Sequence, residues 1–291
     1  MLDKQKTVVA LGHFDSVHIG HRKVIKTAKQ LADFYDANLV VYTFSGNLKS
    51  VTLNSSERVV YTDSERENIY KTLGVDDVVF LKVTPKLLST KKLAFLNSIN
   101  KKFNVTAYVC GEDYRFGKDR CGDVDYIRKF AQKHGQTLTV CQLIKDQDKK
   151  VSTSMIKSFL LDGDLEKANL LLGENYTVSG KVIKDRGVGQ SIGFPTANLL
   201  IDKERVKLKS GVYKGEVSTS YGKFKAIINY GPRPTFNLDK VLLEAHLIDF
   251  NGDLYGQTIQ VRFDKFIRNV MKFESIEQLK NQLKKDLTEV K

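Results

Sequence analysis

The chain divides by the rhythm of its apolar positions. Over 7–172, short uninterrupted apolar runs alternate with stretches whose apolar residues recur at helical spacing, as in parallel α/β folds. The runs at 8–11, 39–44, 77–81, 107–110 and 138–143 predict buried strands. The stretches at 21–34, 64–73, 92–101, 124–134, 153–161 and 165–172 predict helices, with Asp63 and Asp123 placed as N-caps and Asp162-Gly163-Asp164 as a turn. After Gly173 the rhythm becomes two-residue alternation broken by glycines. Strands are expected at 176–183, 211–218, 224–230, 242–249 and 258–263, the pattern of a compact antiparallel barrel. A closing helix over 275–287 puts Ile276, Leu279, Leu283 and Leu287 on one side. The boundary falls at 173/174, and no internal repeat is present.

Composition changes this picture little. At 291 residues, 41% hydrophobic and 28% charged, the chain has room for two cores. No apolar run is long enough for a signal peptide or a bilayer span, so a cytoplasmic protein without a membrane partner is expected. Cys110, Cys121 and Cys141 are odd in number and lack paired metal-ligand spacing, which argues against a disulfide framework and a zinc site. The net charge of +13 is spread along the chain. Its clusters at 145–150 and 280–285 read as solvated surface that also attracts nucleotide phosphates. No stretch specifies an oligomeric state.

The first candidate chemistry lies where strand 8–11 meets the next helix, at Gly12-His13-Phe14-Asp15-Ser16-Val17-His18-Ile19-Gly20-His21. A strand, a turn and a helix start in succession aim free backbone N–H groups and a positive dipole end at an anion. His18 and His21 can direct imidazole donors at the same phosphates, and Gly20 lets the backbone approach. This segment resembles the H-x-G-H signature of nucleotidyltransferases, which implies attack at the α-phosphate of ATP with loss of pyrophosphate and a Rossmann-like fold. Residues 109–117 (VCGEDYRFG), followed by Gly122-Asp123, resemble the G-x-D-F-R-F-G motif of bacterial FAD synthetases. Residues 151–157 (VSTSMIK) resemble their S-S-T-x-I-R motif. Lys157 stands where that family carries arginine, and Ser45-Gly46-Asn47 where it carries Pro-His-Pro. The resemblance implies catalytic His18 and His21, with ATP held by Gly12, His13, Phe14, Asp15, Gly20, Asp113, Arg115, Ser152, Thr153, Ser154 and Lys157.

The second constellation lies in the barrel. Residues 185–199 (DRGVGQSIGFPTANL) place Gly187, Gly189 and Gly193 within seven positions, a flap whose N–H groups can wrap phosphates, and Pro195 fixes the chain as it leaves. Thr196 and Asn198, two apart on one side of an extended segment, offer neutral oxygens suited to Mg²⁺. The string resembles the P-T-A-N signature of riboflavin kinases. In order, 211–213 (GVY), 229–236 (NYGPRPTF), 243–250 (LEAHLIDF) and 253–256 (DLYG) resemble further motifs of that family. Of four prolines, three sit in these motifs.

The kinase resemblance implies that Glu244 takes the proton of the riboflavin 5′-hydroxyl. It also implies ATP contacts from Gly187, Gly189, Gly193, Pro195, Thr196 and Asn198, and flavin contacts from Asn229, Arg268 and Phe273, with 266–273 as a loop covering the flavin. The whole is similar to the bacterial bifunctional riboflavin kinase/FAD synthetase family: an α/β nucleotidyltransferase domain over 1–173 and a β-barrel kinase domain with a C-terminal helix over 174–291. The implied substrates are riboflavin, FMN and ATP, with Mg²⁺ as cofactor and FMN and FAD as products. Two other readings are a riboflavin kinase with a degenerate first module and a nucleic-acid-binding protein. The absence of a K-M-S-K-S companion motif and of an anticodon-binding extension counts against the latter, so no nucleic-acid partner is expected.

Overall fold

The computed structural model describes residues 5–46, 58–184, 193–202, 204–232 and 241–290. Asn47, the flap residues Gly187 and Gly189, and 233–236 of the 229–236 kinase motif lie outside the described residues. The chain forms two compact units, Met1–Thr153 and Ser154–Lys291.

In the first unit the five apolar runs become β1 (Lys6–Leu11), β2 (Asn38–Phe44), β3 (Asp77–Leu81), β4 (Asn104–Gly111) and β5 (Thr137–Cys141). They form one parallel sheet in the order β3-β2-β1-β4-β5. The central strands lie between helices, and Val8, Val9 and Ala10 are 0% exposed; burial on both faces is why they read as unbroken apolar runs. Helix α1 (Ile19–Tyr35) buries Val24, Ile25, Ala28 and Ala32, one stripe at helical spacing.

Helix α2 (Asp63–Thr72) begins one residue before the expected start. Thr62, not Asp63, is its N-cap: the Thr62 hydroxyl accepts from Glu65 N–H, and the Glu65 carboxylate accepts from Thr62 N–H. Asp63 is left to receive Ser45 Oγ, Gly46 N–H and the buried Arg66 guanidinium. A one-turn helix α3 (Pro85–Leu88) was not foreseen, whereas α4 (Lys92–Lys102) and α5 (Val124–Lys133) were. Asp123 caps α5 as expected, accepting from Tyr126 N–H. The lysine cluster at 145–150 is a hairpin of β6 (Lys145–Asp146) and β7 (Lys149–Lys150), where a solvated run was expected.

The second unit begins at Ser154, one residue into α6 (Thr153–Asp162), and continues through α7 (Leu165–Leu172). Strands β8 (Thr177–Ile183), β9 (Ala197–Leu200), β10 (Gly211–Thr219), β11 (Gly222–Pro232), β12 (Val241–Leu247) and β13 (Thr258–Arg268) close an antiparallel barrel in the order β10-β11-β12-β9-β8-β13. Helix α8 (Ile276–Thr288) follows. Leu199, Tyr213, Ile228, Leu243, Ala245 and Phe263 are fully buried. On each strand these residues alternate with the polar ones, so they fill the interior and turn the other face outward.

Two differences bear on function. The last two residues of the P-T-A-N motif, Ala197 and Asn198, begin a barrel strand, β9, bridging β12 and β8; its four residues gave too short a pattern to register as one. Residues 266–268, expected in a loop, instead extend β13, because the ladder with β10 continues to Val212↔Arg268. Asn169 of α7 joins the helices to the barrel: its Nδ2 donates to Phe263 O at 3.1 Å, and its Oδ1 accepts from Tyr176 N at 2.7 Å.

Candidate active sites

The order of the first sheet predicts where a ligand would lie. Chain connections run in opposite directions from β1 and β4, and the crevice above their C-terminal ends is the switch point where open α/β sheets bind ligands. Two of the sequence motifs leave their strands there: 12–21 follows β1, and Asp113 follows β4.

His18 is 5% exposed and is the N-cap of α1. Its Nδ1 accepts from His21 N–H at 3.2 Å, so in the neutral ring the proton sits on Nε2. The two rings stack at 3.6 Å between centroids. Burial lowers the His18 pKa to about 4, with the Lys150 ammonium acting in the same direction and the Asp113 carboxylate against it. Burial also drives His21 well below the usual imidazole value, helped by His18, His13, Lys150 and Arg66. Both imidazoles are therefore neutral donors at pH 7, and His21 Nδ1 is buried without a hydrogen-bond partner.

The turn holding these rings is tight. A Cβ on Gly12 would lie 2.4 Å from the Phe14 ring, so that position has no room for a side chain, and one on Gly20 would lie 3.0 Å from the His18 ring, so the ring would have to shift to admit it. Phe14 meets His21 edge-on at 5.3 Å, and its carbonyl accepts from Tyr70 Oη at 3.1 Å. Buried Val17 holds φ +43°, a costly conformation for a β-branched residue, while its carbonyl accepts from Arg22 Nε at 3.0 Å. Asp15 is 2% exposed, and His13 places its ring 5.8 Å from that of Phe44.

Thr153 is tied to this turn by a 3.0 Å hydrogen bond between its hydroxyl and that of Ser16. Ser152 precedes it, and Ser154 and Lys157 lie in the opening turns of α6. Asp113 pairs with Lys150. Arg115 lies 4.0 Å from Asp123. Lys150 is the residue that sequence reasoning missed. Its charge acts on both histidines, yet within a lysine cluster it carried no signal without the β6–β7 hairpin that aims it.

In the second unit, strand register assembles the site. Asn198 pairs with Glu244, Glu244 with Asn229, Asn229 with Val212, and Val212 with Arg268. Directly paired residues project from the same face with Cβ atoms roughly 4.5–5.5 Å apart. Five residues far apart in sequence thus share one outward row, with half-buried Glu244 flanked by two asparagines. Asn198 is 6% exposed, and its Oδ1 is buried without a hydrogen-bond partner. Thr196 is half-buried, and its carbonyl lies 3.5 Å from Asn198 Nδ2. Gly193 is exposed at φ +84°. The Pro195 carbonyl lies 2.8 Å from His246 Nδ1.

At the other end of the row, Arg268 is held by the protein's own groups. Its Nε and Nη2 donate to the 2%-exposed Asp286 carboxylate of α8 at 2.9 and 2.7 Å, and its Nη1 donates to Asn269 O at 3.1 Å. Val212, Ile227 and Val290 pack beside it with Leu287, so α8 lies over this end of the outer face. Phe273 is half-buried in the segment between β13 and α8.

Comparison with known proteins agrees with this division. The FAD synthetase family model matches residues 1–155, and the riboflavin kinase family model matches residues 172–291. A bifunctional riboflavin kinase/FMN adenylyltransferase from Bacillus subtilis is 33% identical, covering 99% of this chain and 92% of its own. One of the same description from Listeria monocytogenes is 33% identical, with coverages of 96% and 90%. A crystal structure described as a macrolide-efflux protein from Streptococcus pneumoniae superposes with a TM-score of 0.87 at 29% identity, covering 98% of this chain and 93% of that one. Among the described residues of the present chain, no helix is long and apolar enough to cross a membrane.

Proposed function

The chain belongs to the bifunctional riboflavin kinase/FMN adenylyltransferase family, and from that premise we propose which side chains carry each transfer. The protein phosphorylates riboflavin to FMN and adenylylates FMN to FAD, each with ATP. Both modules are matched, so a degenerate first module is not favoured. We assign adenylylation to residues 1–173 and phosphorylation to residues 174–291, and we place both in the cytoplasm.

The kinase assignment is carried by the row Asn198–Glu244–Asn229. An alcohol is a poor nucleophile, and Glu244 would accept the proton of the riboflavin 5′-hydroxyl as that oxygen attacks the γ-phosphorus of ATP and ADP leaves. Asn229, exposed beside it, would orient the flavin end of the substrate. The amide oxygen of Asn198 and the hydroxyl of Thr196 are hard, neutral donors. The unsatisfied Asn198 Oδ1 fits a magnesium ion held jointly with ATP phosphates. Magnesium there would neutralise charge on the transferring phosphoryl group. Gly193, at the start of the described segment, would lie beside the phosphates.

In the first unit no covalent intermediate is needed. The FMN phosphate attacks the α-phosphorus of ATP, pyrophosphate leaves, and the protein positions the reactants and stabilises charge. His18 is suited to this because its Nε2–H is held outward by the Nδ1 bond to the α1 backbone. Neutral His21 stacks behind it, Thr153 adds a hydroxyl, and Lys150 adds a cation whose charge acts on both rings.

Glu244→Gln tests the kinase assignment. The variant should convert riboflavin to FMN at least about a hundredfold more slowly while converting FMN to FAD at the wild-type rate, read by chromatography of the flavins. FMN formation at the normal rate would remove Glu244 from its role.

A further inference from the structure

The ladder between β12 and β9 pairs Leu242 with Leu200 through Ala245 with Ala197 and then stops. Continued by one step it would reach His246 and Thr196, and then Pro195, which has no N–H to offer. The strand pairing should therefore fray at the residues proposed to hold magnesium-bound ATP. A side chain takes over at that point. His246 Nδ1 lies 2.8 Å from Pro195 O, and its ring centroid is 5.4 Å from that of Phe194. A carbonyl oxygen only accepts, so this contact places the His246 proton on Nδ1. His246 is also two residues from Glu244 on β12, hence on the same outward face.

We propose that His246 is a positioning residue for the phosphoryl transfer: by donating to the Pro195 carbonyl where the backbone ladder has ended, it fixes Thr196 against the row of Asn198 and Glu244. The inference rests on the kinase assignment of that row. It gives the histidine of the L-E-A-H segment a task distinct from proton transfer and assigns it to the ATP side of the site. Asn198 is already held by its backbone pair with Glu244, so Thr196, one residue beyond the last pair, is the donor that depends on the histidine.

The test uses the full-length protein carrying His246→Ala, His246→Asn or His246→Gln, assayed for both transfers. Asparagine carries an N–H donor at the place of Nδ1, whereas glutamine carries it at the place of Nε2. The alanine and glutamine variants should raise KM for MgATP in FMN formation about tenfold, the worth of one such hydrogen bond. KM for riboflavin and the FMN-to-FAD rate should stay at wild-type values. The asparagine variant should return KM for MgATP to within about threefold of wild type. An alanine variant with unchanged KM for MgATP would overturn the proposal, as would equal behaviour of the asparagine and glutamine variants. If alanine proves too unstable to assay, the comparison of asparagine with glutamine decides the matter alone. The kinase assignment itself is judged separately by Glu244→Gln, so His246 can lose its role while Glu244 keeps its own.

Discussion

Arg268 was expected at the flavin, and replacing it by methionine separates that role from the one its contacts support. The guanidinium meets the Asp286 carboxylate through Nε and Nη2 at 2.9 and 2.7 Å, a two-pronged geometry with Asp286 only 2% exposed. Arg268→Met would leave that carboxylate inside the protein with Gln282 Nε2, at 2.9 Å, as its one remaining side-chain donor in the described contacts. Orphaning a buried charge in this way costs ~3–5 kcal/mol. Removing both charges together, as in Arg268→Met with Asp286→Leu, should cost far less, because apolar replacement of a buried pair is close to neutral. The coupling between the two sites should therefore exceed ~2 kcal/mol. Urea unfolding followed by far-UV circular dichroism measures it, and the chain has no Trp to offer as a fluorescence probe. If Arg268→Met left stability within ~1 kcal/mol of wild type and instead raised KM for riboflavin, the anchoring role would be refuted and the flavin role supported.

Two other outcomes follow from buried polar groups. Asn169→Ala should lower stability by ~2–4 kcal/mol in the same urea assay, since it strands Phe263 O and Tyr176 N inside the second unit; an unchanged midpoint would mean that α7 does not depend on this joint. His18 has its pKa lowered from 6.5 to about 4 by burial, so between those values the unfolded chain binds more protons than the native one and stability rises with pH. Its share is complete above pH 6.5 and is lost as pH falls to about 4, amounting to ~3 kcal/mol. Unfolding curves across that range should therefore be flatter for His18→Gln than for the wild type, and parallel curves would contradict a buried neutral imidazole.

What could be read from sequence depended on how local each feature is. The strand, turn and helix start at 8–21 lie within fourteen consecutive residues, so the apolar run, the close-packed glycines and both histidines were visible together. The cap of α2 was misplaced by one residue because Thr62 and Asp63 are both good caps, and only the reciprocal bond with Glu65 chooses between them. Lys150 was invisible for the opposite reason: one lysine among several gains meaning only when a hairpin turns it onto Asp113 beside the histidines.

The kinase row shows the distinction most clearly. Residue types at 198, 229 and 244 could be matched to motifs one at a time, but nothing in any motif says that the three share a face. That depends on pairing between strands up to 46 positions apart, and in a sheet a slip of one residue would turn Glu244 into the barrel interior. The interior prevents the slip. Leu243 and Ala245 on either side of Glu244, and Leu199 and Ile228 on the neighbouring strands, are fully buried, and exchanging them with the polar set would place a carboxylate and two amides in an apolar core. The hydrophobic residues that carry no chemistry therefore determine where the chemistry points, and Arg268 follows the same logic. Register brings it into the row, but Leu287 of α8 and Val290 beyond it cover that end and α8 supplies the buried Asp286, so its guanidinium is engaged before any flavin arrives.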